Sequence, residues 1–305
     1  MAHRTFSVEL LGDGGRSPPG LAIADYADEH GSCSFPEVTP TAYACCMNPG
    51  SETVKRRSPL AVRPKSPVVV IFDGDDTLWE TEPLYDRARS EAAGIVSNAG
   101  LDAHRFEELQ RTIDMDNVAQ MGLSSARFPT SSVQAYEKLA TAAGTAVIRS
   151  VSDHIYEVSA QVFERVAPVM PHARNVLEQM ASSYRIALLT KGERAVQQKR
   201  IDLSKLAPYF ALIRIVEEKN SSAFEAVLRD LNSRPGVAWS VGNSLPSDII
   251  PAREIGMSAV WIDSHVWGHE RSFDGQRIAD AGVRVATDLS EVPTIVGLAE
   301  LEGAE

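Results

Sequence analysis

Asp73, Asp75 and Asp76 place three carboxylates within four positions, Thr77 follows at once, and Val68-Val69-Val70-Ile71-Phe72 leads directly in. Five β-branched or aromatic residues without polar alternation predict a strand buried on both faces, as in a parallel sheet. Carboxylates this close raise one another's proton affinity and strain the fold unless a cation lies between them. A divalent metal is the natural partner, and hard oxygen ligands favour Mg²⁺. A solvated acidic turn is the other reading, but that suits an edge strand, and the run ahead of Asp73 is wholly apolar.

Short apolar runs that alternate with helical patterns must position these residues. Strands are predicted at 185–190, 211–216, 237–241 and 259–262. Helices are predicted at 173–180, 193–203 and 247–255, with an amphipathic one carrying Phe224, Val227, Leu228 and Leu231 on one face. Such alternation predicts a right-handed parallel α/β sheet. Ligands sit beyond the carboxyl ends of its strands, so the residue after each strand is the one to inspect.

Those positions hold Asp73 and Asp75, then Thr190, then Lys219, then Gly242-Asn243-Ser244 with Asp248. Taken singly, each has a mundane reading. Thr190 suits a helix N-cap, Lys219 a surface charge beside Glu217 and Glu218, and Asp248 an acidic residue in a first helical turn. Lys219 precedes a helix, however, where the dipole disfavours a cation, so an anionic partner is easier to justify. Together, each at a strand end, they describe a phosphate and metal site.

In this order the residues resemble the haloacid dehalogenase superfamily. Asp73-Gly74-Asp75-Asp76-Thr77-Leu78 matches its first motif, Leu189-Thr190-Lys191-Gly192 its second, Lys219 its third, and Gly242-Asn243-Ser244 through Asp248 its fourth. The resemblance implies a parallel Rossmann-like α/β core flanked by helices, with an α-helical cap inserted after the first motif. It implies Asp73 as the nucleophile that forms an aspartyl-phosphate, and Asp75 as the acid and base for leaving group and water. Thr190 and Lys191 would hold phosphate oxygens, and Lys219 would neutralise charge on Asp73 and the transferring group. Asp73, Asp75, Asn243 and Asp248 would form the Mg²⁺ set, with direct or water-mediated contact left open for the last two. Thr77 is expected to support the loop, and Gly74 to serve an irregular backbone turn. Many family members carry Asp where this chain has Asn243, which removes one charge from that set.

The activity expected is Mg²⁺-dependent hydrolysis of a small phosphorylated metabolite. A phosphomutase uses the same four motifs, and a 2-haloacid dehalogenase needs the nucleophile but neither Asp75 nor Mg²⁺. A non-catalytic binding protein on this scaffold would be expected to lose Asp73 or Asp75.

Between the first motif and Pro168 the pattern turns helical, so 67–81 and 168–305 are read as the core and 82–167 as the cap. Tyr85, Ala88, Ala92 and Ile95 form one apolar stripe; Val151, Ile155, Val158, Val162 and Val166 form another. Ser131 with Gln134 reads as a capping box opening a helix through Val133, Tyr136, Leu139 and Ala140. Gly100, Gly122, Pro129 and Gly144 read as breaks. Arg127 then falls in a loop between cap helices; it is either solvated there or turned toward an anionic substrate. His265-Val266-Trp267-Gly268-His269 is expected to form a loop near the mouth of the site.

Composition excludes several classes. The net charge is −11, and residues 1–66 balance at seven basic and seven acidic side chains, so the excess lies wholly in 67–305. An acidic body argues against nucleic-acid and anionic-membrane partners. No apolar run approaches bilayer length, and the first residues lack a secretory apolar core. Cys33, Cys45 and Cys46 all precede residue 67, so a disulfide framework in the body is excluded and a cytoplasmic setting is expected. Residues 1–66, punctuated by Gly, Pro and Ser, are read as a disordered extension, and Met47 as an alternative start. Deleting residues 1–60 is therefore expected to leave folding and activity nearly intact. Loss of soluble protein or of turnover in the truncated chain would contradict this.

Overall fold

The computed structural model describes residues 67–263 and 283–302. The predicted N-terminal extension, its cysteines and the loop from His265 to His269 lie outside them.

Among the described residues, six strands form one parallel sheet: β1 (Val69–Phe72), β2 (Arg185–Lys191), β3 (Leu212–Val216), β4 (Ala238–Gly242), β5 (Ser258–Ile262) and β6 (Arg284–Ala286). Their spatial order is β3-β2-β1-β4-β5-β6. The chain thus builds outward from β1 on one side, then crosses back to build on the other. That reversal puts a topological switch point between β1 and β4, where such sheets open a crevice at their carboxyl edge. Phe72 pairs with Leu188 on one side and Val241 on the other. The Asp73 N–H extends this pairing to the Val241 oxygen at 2.9 Å.

β1 is buried on both faces, as its composition predicts. Val70 and Phe72 enter one apolar cluster with Leu177, Met180 and Val292. Val69 and Ile71 enter another with Phe224, Val227 and Met257. These partners come from the flanking helices α5 (Ala173–Ala181), α7 (Ser221–Asp230) and α9 (Val292–Glu302), and from the segment just after α8 (Ile250–Glu254). α6 (Arg194–Ser204) follows β2. The expected helix over 247–255 is not one α-helix: a wider π-helical turn, Leu245–Ile249, precedes α8.

Between β1 and α5 stand four further helices: α1 (Glu82–Asn98), α2 (Ala103–Met121), α3 (Arg127–Ala142) and α4 (Arg149–Ala160). They bury a core of their own, including Ala92, Val96, Phe106, Tyr136, Ala140 and Ile155. The outgoing and returning chains pair beside the sheet, Glu80 N–H to the Pro168 oxygen and Met170 N–H to the Leu78 oxygen. α3 begins at Arg127 and not at Ser131. Pro129 therefore lies in its first turn, where a missing N–H costs nothing, and the Ser131 hydroxyl bonds back to the Arg127 oxygen at 2.8 Å. Arg127 is accordingly no loop residue. Val166, expected to extend the last stripe, lies past the helix and is 59% exposed.

The first-motif turn also differs from expectation. The left-handed backbone falls on Asp76 (φ 58°), not on Gly74. Asp tolerates that region because its short side chain bonds locally. Here both Asp76 oxygens are used: they accept from Thr81 N–H, Thr81 hydroxyl and Glu82 N–H at 2.6–3.0 Å. Thr81, the N-cap of α1, makes no side-chain cap of its own, so Asp76 supplies it from five residues upstream. Gly74 is required for room: a Cβ there would lie 2.5 Å from the Trp79 ring and 3.2 Å from the Thr190 hydroxyl. Replacing Asp76 by Ala removes the cap and leaves a side chain that disfavours this φ, at a cost of about 2 kcal/mol. Asp76→Asn, which keeps an acceptor oxygen, should cost less. Denaturant unfolding of the two variants checks the order.

Candidate active site

Every strand end on the carboxyl edge near β1 delivers a polar side chain, and the buried ones are held by each other. Lys219, just before α7, has its side chain 1% exposed. Its ammonium donates to Asp73 Oδ1 at 2.7 Å and to Asp248 Oδ1 at 2.6 Å. The surface-charge reading of Lys219 therefore fails. Asp248 Oδ2 accepts the Ser244 N–H at 2.9 Å, so both its oxygens are engaged. Gly242 makes space for this: a Cβ there would lie 2.2 Å from Asp248 Oδ2. Ser244, not Asn243, caps the following turn through the Ser247 N–H. The Asn243 side-chain oxygen accepts from Thr77 Oγ1 at 3.2 Å, joining the first and fourth motifs.

Thr190 is buried within β2 beside Gly74, and α6 begins with Glu193 as N-cap, so Thr190 is not the capping residue. Lys191 donates to the Ser247 hydroxyl at 2.6 Å. Asp75 is gripped by three donors. Trp79 Nε1 reaches Oδ1 at 2.6 Å; Gln197 Nε2, at 2.9 Å, and Arg200 Nη1 both reach Oδ2. Arg200 also lies beside the hydroxyl of Tyr85 on α1, and its own charge is held firmly: burial opposes it, but Asp75 and Tyr85 raise its affinity for the proton. Sequence reasoning missed Trp79, Gln197, Arg200 and Tyr85. Gln197 and Arg200 stand three apart, hence on one face of α6, immediately after the second motif; that spacing was the available signal.

These groups line a cavity of about 140 Å³ between the strand ends and the helices. Asp73, Asp75, Thr190, Lys191, Asn243, Asp248 and Arg127 all reach it, and Lys219 is buried against two of them. From the helices come Glu82, Tyr85 and Arg89 (α1), Asp114 (α2), and Leu123 and Ser124 ahead of α3. Two further contacts close the helices onto the core: Ser125 N–H to Glu193 at 2.7 Å, and Lys199 to Glu164 at 2.6 Å.

The electrostatics of the sheet side are unbalanced. Burial, and next the charge of Asp248, push the Asp73 carboxyl up to about 7, although Lys219 pulls it down. Burial also opposes the Lys219 charge, but Asp248 and Asp73 lift it above the ordinary lysine value. Among the described residues, seven carboxylates line the cavity against four cationic side chains. Among the described residues no three His, Cys, Asp or Glu side chains converge as a ready metal cluster, since Asp73 and Asp248 each turn an oxygen onto Lys219. The donor set is nonetheless all oxygen and acidic in excess, which fits a hard divalent cation.

Removing Lys219 should expose its structural weight. Lys219→Met leaves two buried carboxylates without their cation, a loss of about 3–5 kcal/mol at neutral pH and above. The native state then binds protons that the unfolded chain does not, between the ordinary carboxylate value and a folded value at or above about 7. Stability of the variant should therefore fall more steeply than that of the parent as pH rises through this window, and the gap should narrow near pH 5. A gap independent of pH would contradict the assignment.

Comparison with known proteins agrees with the fold. Residues 68–256 match the haloacid dehalogenase-like hydrolase family. A glyceraldehyde 3-phosphate phosphatase from Methanothermobacter thermautotrophicus is 25% identical over 236 residues, 74% of this chain and 98% of that protein. A pyrimidine 5'-nucleotidase from Escherichia coli is 22% identical over 206 residues, 64% of this chain and 86% of its own. The solved structure of a haloacid dehalogenase-like family hydrolase from Xanthomonas campestris superposes with a TM-score of 0.65 at 23% identity. It covers 79% of this chain and 95% of that one, a likeness of fold. With the family match spanning more than half its length, the chain belongs to the haloacid dehalogenase-like hydrolases and is a hydrolase enzyme.

Proposed function

We propose that the chain is a Mg²⁺-dependent phosphatase acting on a small phosphomonoester through an aspartyl-phosphate at Asp73. The single observation that carries this is the pairing of two differently held carboxylates on one turn. Asp73 is buried against Lys219, and Asp75, two residues on, is fixed by Trp79, Gln197 and Arg200. Two carboxylates with separate environments are what nucleophile and acid–base roles need. The relatives named as a phosphatase and a nucleotidase support a phosphomonoester substrate.

In this reading an Asp73 oxygen attacks phosphorus while the bond to the leaving oxygen breaks, and Asp75 gives that oxygen a proton. Asp75 then takes a proton from water as the water oxygen attacks phosphorus, which releases inorganic phosphate and restores Asp73. Thr190 and Lys191, adjacent at the end of β2, hold phosphoryl oxygens. Lys219 keeps Asp73 placed and offsets its charge. Asp73, Asp75, Asn243 and Asp248 would hold the Mg²⁺, which when bound supplies positive charge for the phosphoryl oxygens. The helices α1–α4 act as a cap over residues 82–167, closing a space suited to a small ester. Among the described residues no helix is long and apolar enough to cross a membrane; the placement of all three cysteines before residue 67 is what favours a reducing, cytoplasmic setting.

The purified protein should hydrolyse p-nitrophenyl phosphate with added Mg²⁺ and lose that activity in excess EDTA. Asp73→Asn should lower turnover by about a thousandfold or more. Undiminished turnover in EDTA, or halide release from a 2-haloacid in place of phosphate release, would refute the proposal. Asp248→Asn should raise the Mg²⁺ requirement more than Asn243→Ala, because only Asp248 carries charge and the link to Lys219. Titrating Mg²⁺ against activity in both variants checks this.

A further inference from the structure

The cations on the helical side of the cavity are already committed. Arg127 is 6% exposed and donates from Nη1 to the backbone oxygen and to Oδ2 of Asp114, at 2.9 and 2.6 Å. Arg89 is 4% exposed; it donates from Nε to Gln110 and from Nη1 to Asp86, with its guanidinium over the Phe128 ring. Among the charged groups that α1–α3 present to the cavity, Glu82 and Asp114 balance Arg89 and Arg127. The helical wall is thus neutral, facing a sheet side with excess carboxylate.

A leaving group with its own carboxylate would meet no uncommitted cation on this wall. It would have to draw Arg127 or Arg89 from a buried partner, leaving that partner's charge unsatisfied. A neutral leaving group with hydroxyls breaks no pair, and its O–H groups have carboxylate acceptors within the same wall. We infer that the cavity selects phosphomonoesters with a neutral, hydroxyl-bearing leaving group, and that the Arg127–Asp114 pair is the specificity determinant that rejects a second anion. Arg127 then serves substrate choice by neutralising Asp114, not by binding an anion itself. The inference rests on the phosphatase reading above.

Glycerol 3-phosphate and 3-phosphoglycerate test it directly, since they differ by a hydroxymethyl group against a carboxylate. With Mg²⁺ present, the native chain should favour glycerol 3-phosphate by about tenfold or more in kcat/KM. Asp114→Asn, which releases Arg127, should cut that preference by about tenfold, mainly through a lower KM for 3-phosphoglycerate. Arg127→Gln, lacking the cation, should reject 3-phosphoglycerate at least as strongly as the native chain, an opposite sign that loosened packing would not produce. Equal or reversed preference in the native chain overturns the inference, whatever the variants do. An unchanged ratio in a folded Asp114→Asn protein, or relaxed selectivity in Arg127→Gln, also overturns it. Failure to hydrolyse either ester or p-nitrophenyl phosphate removes the phosphatase reading and this inference together.

Discussion

The Lys219 ammonium sits between Asp73 at the end of β1 and Asp248 beyond the end of β4, and it reaches them from the segment that follows β3. Three separate stretches of chain are thereby tied at one buried point. Each partner depends on the other two, because a buried lysine or carboxylate left alone is strongly disfavoured. Gly242 is constrained by the same point, since any side chain there would displace the Asp248 carboxylate. Burial and Asp248 still hold the Asp73 proton affinity high, so one lysine does not fully balance the two acids. The Mg²⁺ of the proposed reaction would offset that residual imbalance.

Around this point the molecule divides its tasks between sheet and helices. The sheet edge at the β1/β4 switch carries the groups assigned to chemistry. The helices α1–α3 contribute a wall whose charges cancel internally, and the segment from α1 to Glu164 meets the core at Tyr85 beside Arg200, Ser125–Glu193 and Lys199–Glu164. Arg200 belongs to both sides, since it holds Asp75 and lies beside the Tyr85 hydroxyl. A change in how the helices sit would therefore be felt at Asp75.

Much of the sheet and its edge was legible because the signals are local. The apolar run into Asp73 forces a central strand, and the strand-end rule then picks out Thr190, Lys219, Asn243 and Asp248. What stayed hidden depends on contacts between distant segments. Asp114 and Arg127 lie on different helices, and Arg127 looked like a loop residue because Pro129 reads as a break when it is in fact a first-turn proline. Gln197 and Arg200 resemble any solvated helix face until the fold turns that face onto Asp75. Gly74 was assigned to backbone freedom, whereas the limit is the space occupied by the Trp79 ring and Thr190; the positive φ belongs to Asp76, which uses its side chain to cap α1.

The account stands on Asp73 as the group that receives phosphorus. The most direct measurement is to mix the Asp75→Asn protein with a ³²P-labelled activated phosphomonoester and Mg²⁺, quench in acid, and map the labelled peptide. An activated leaving group needs little protonation, so a covalent intermediate should form and then persist without its base. The account predicts a hydroxylamine-sensitive acyl phosphate on Asp73. Stable label on any other residue, or phosphate release with no labelled protein at any time, would contradict it.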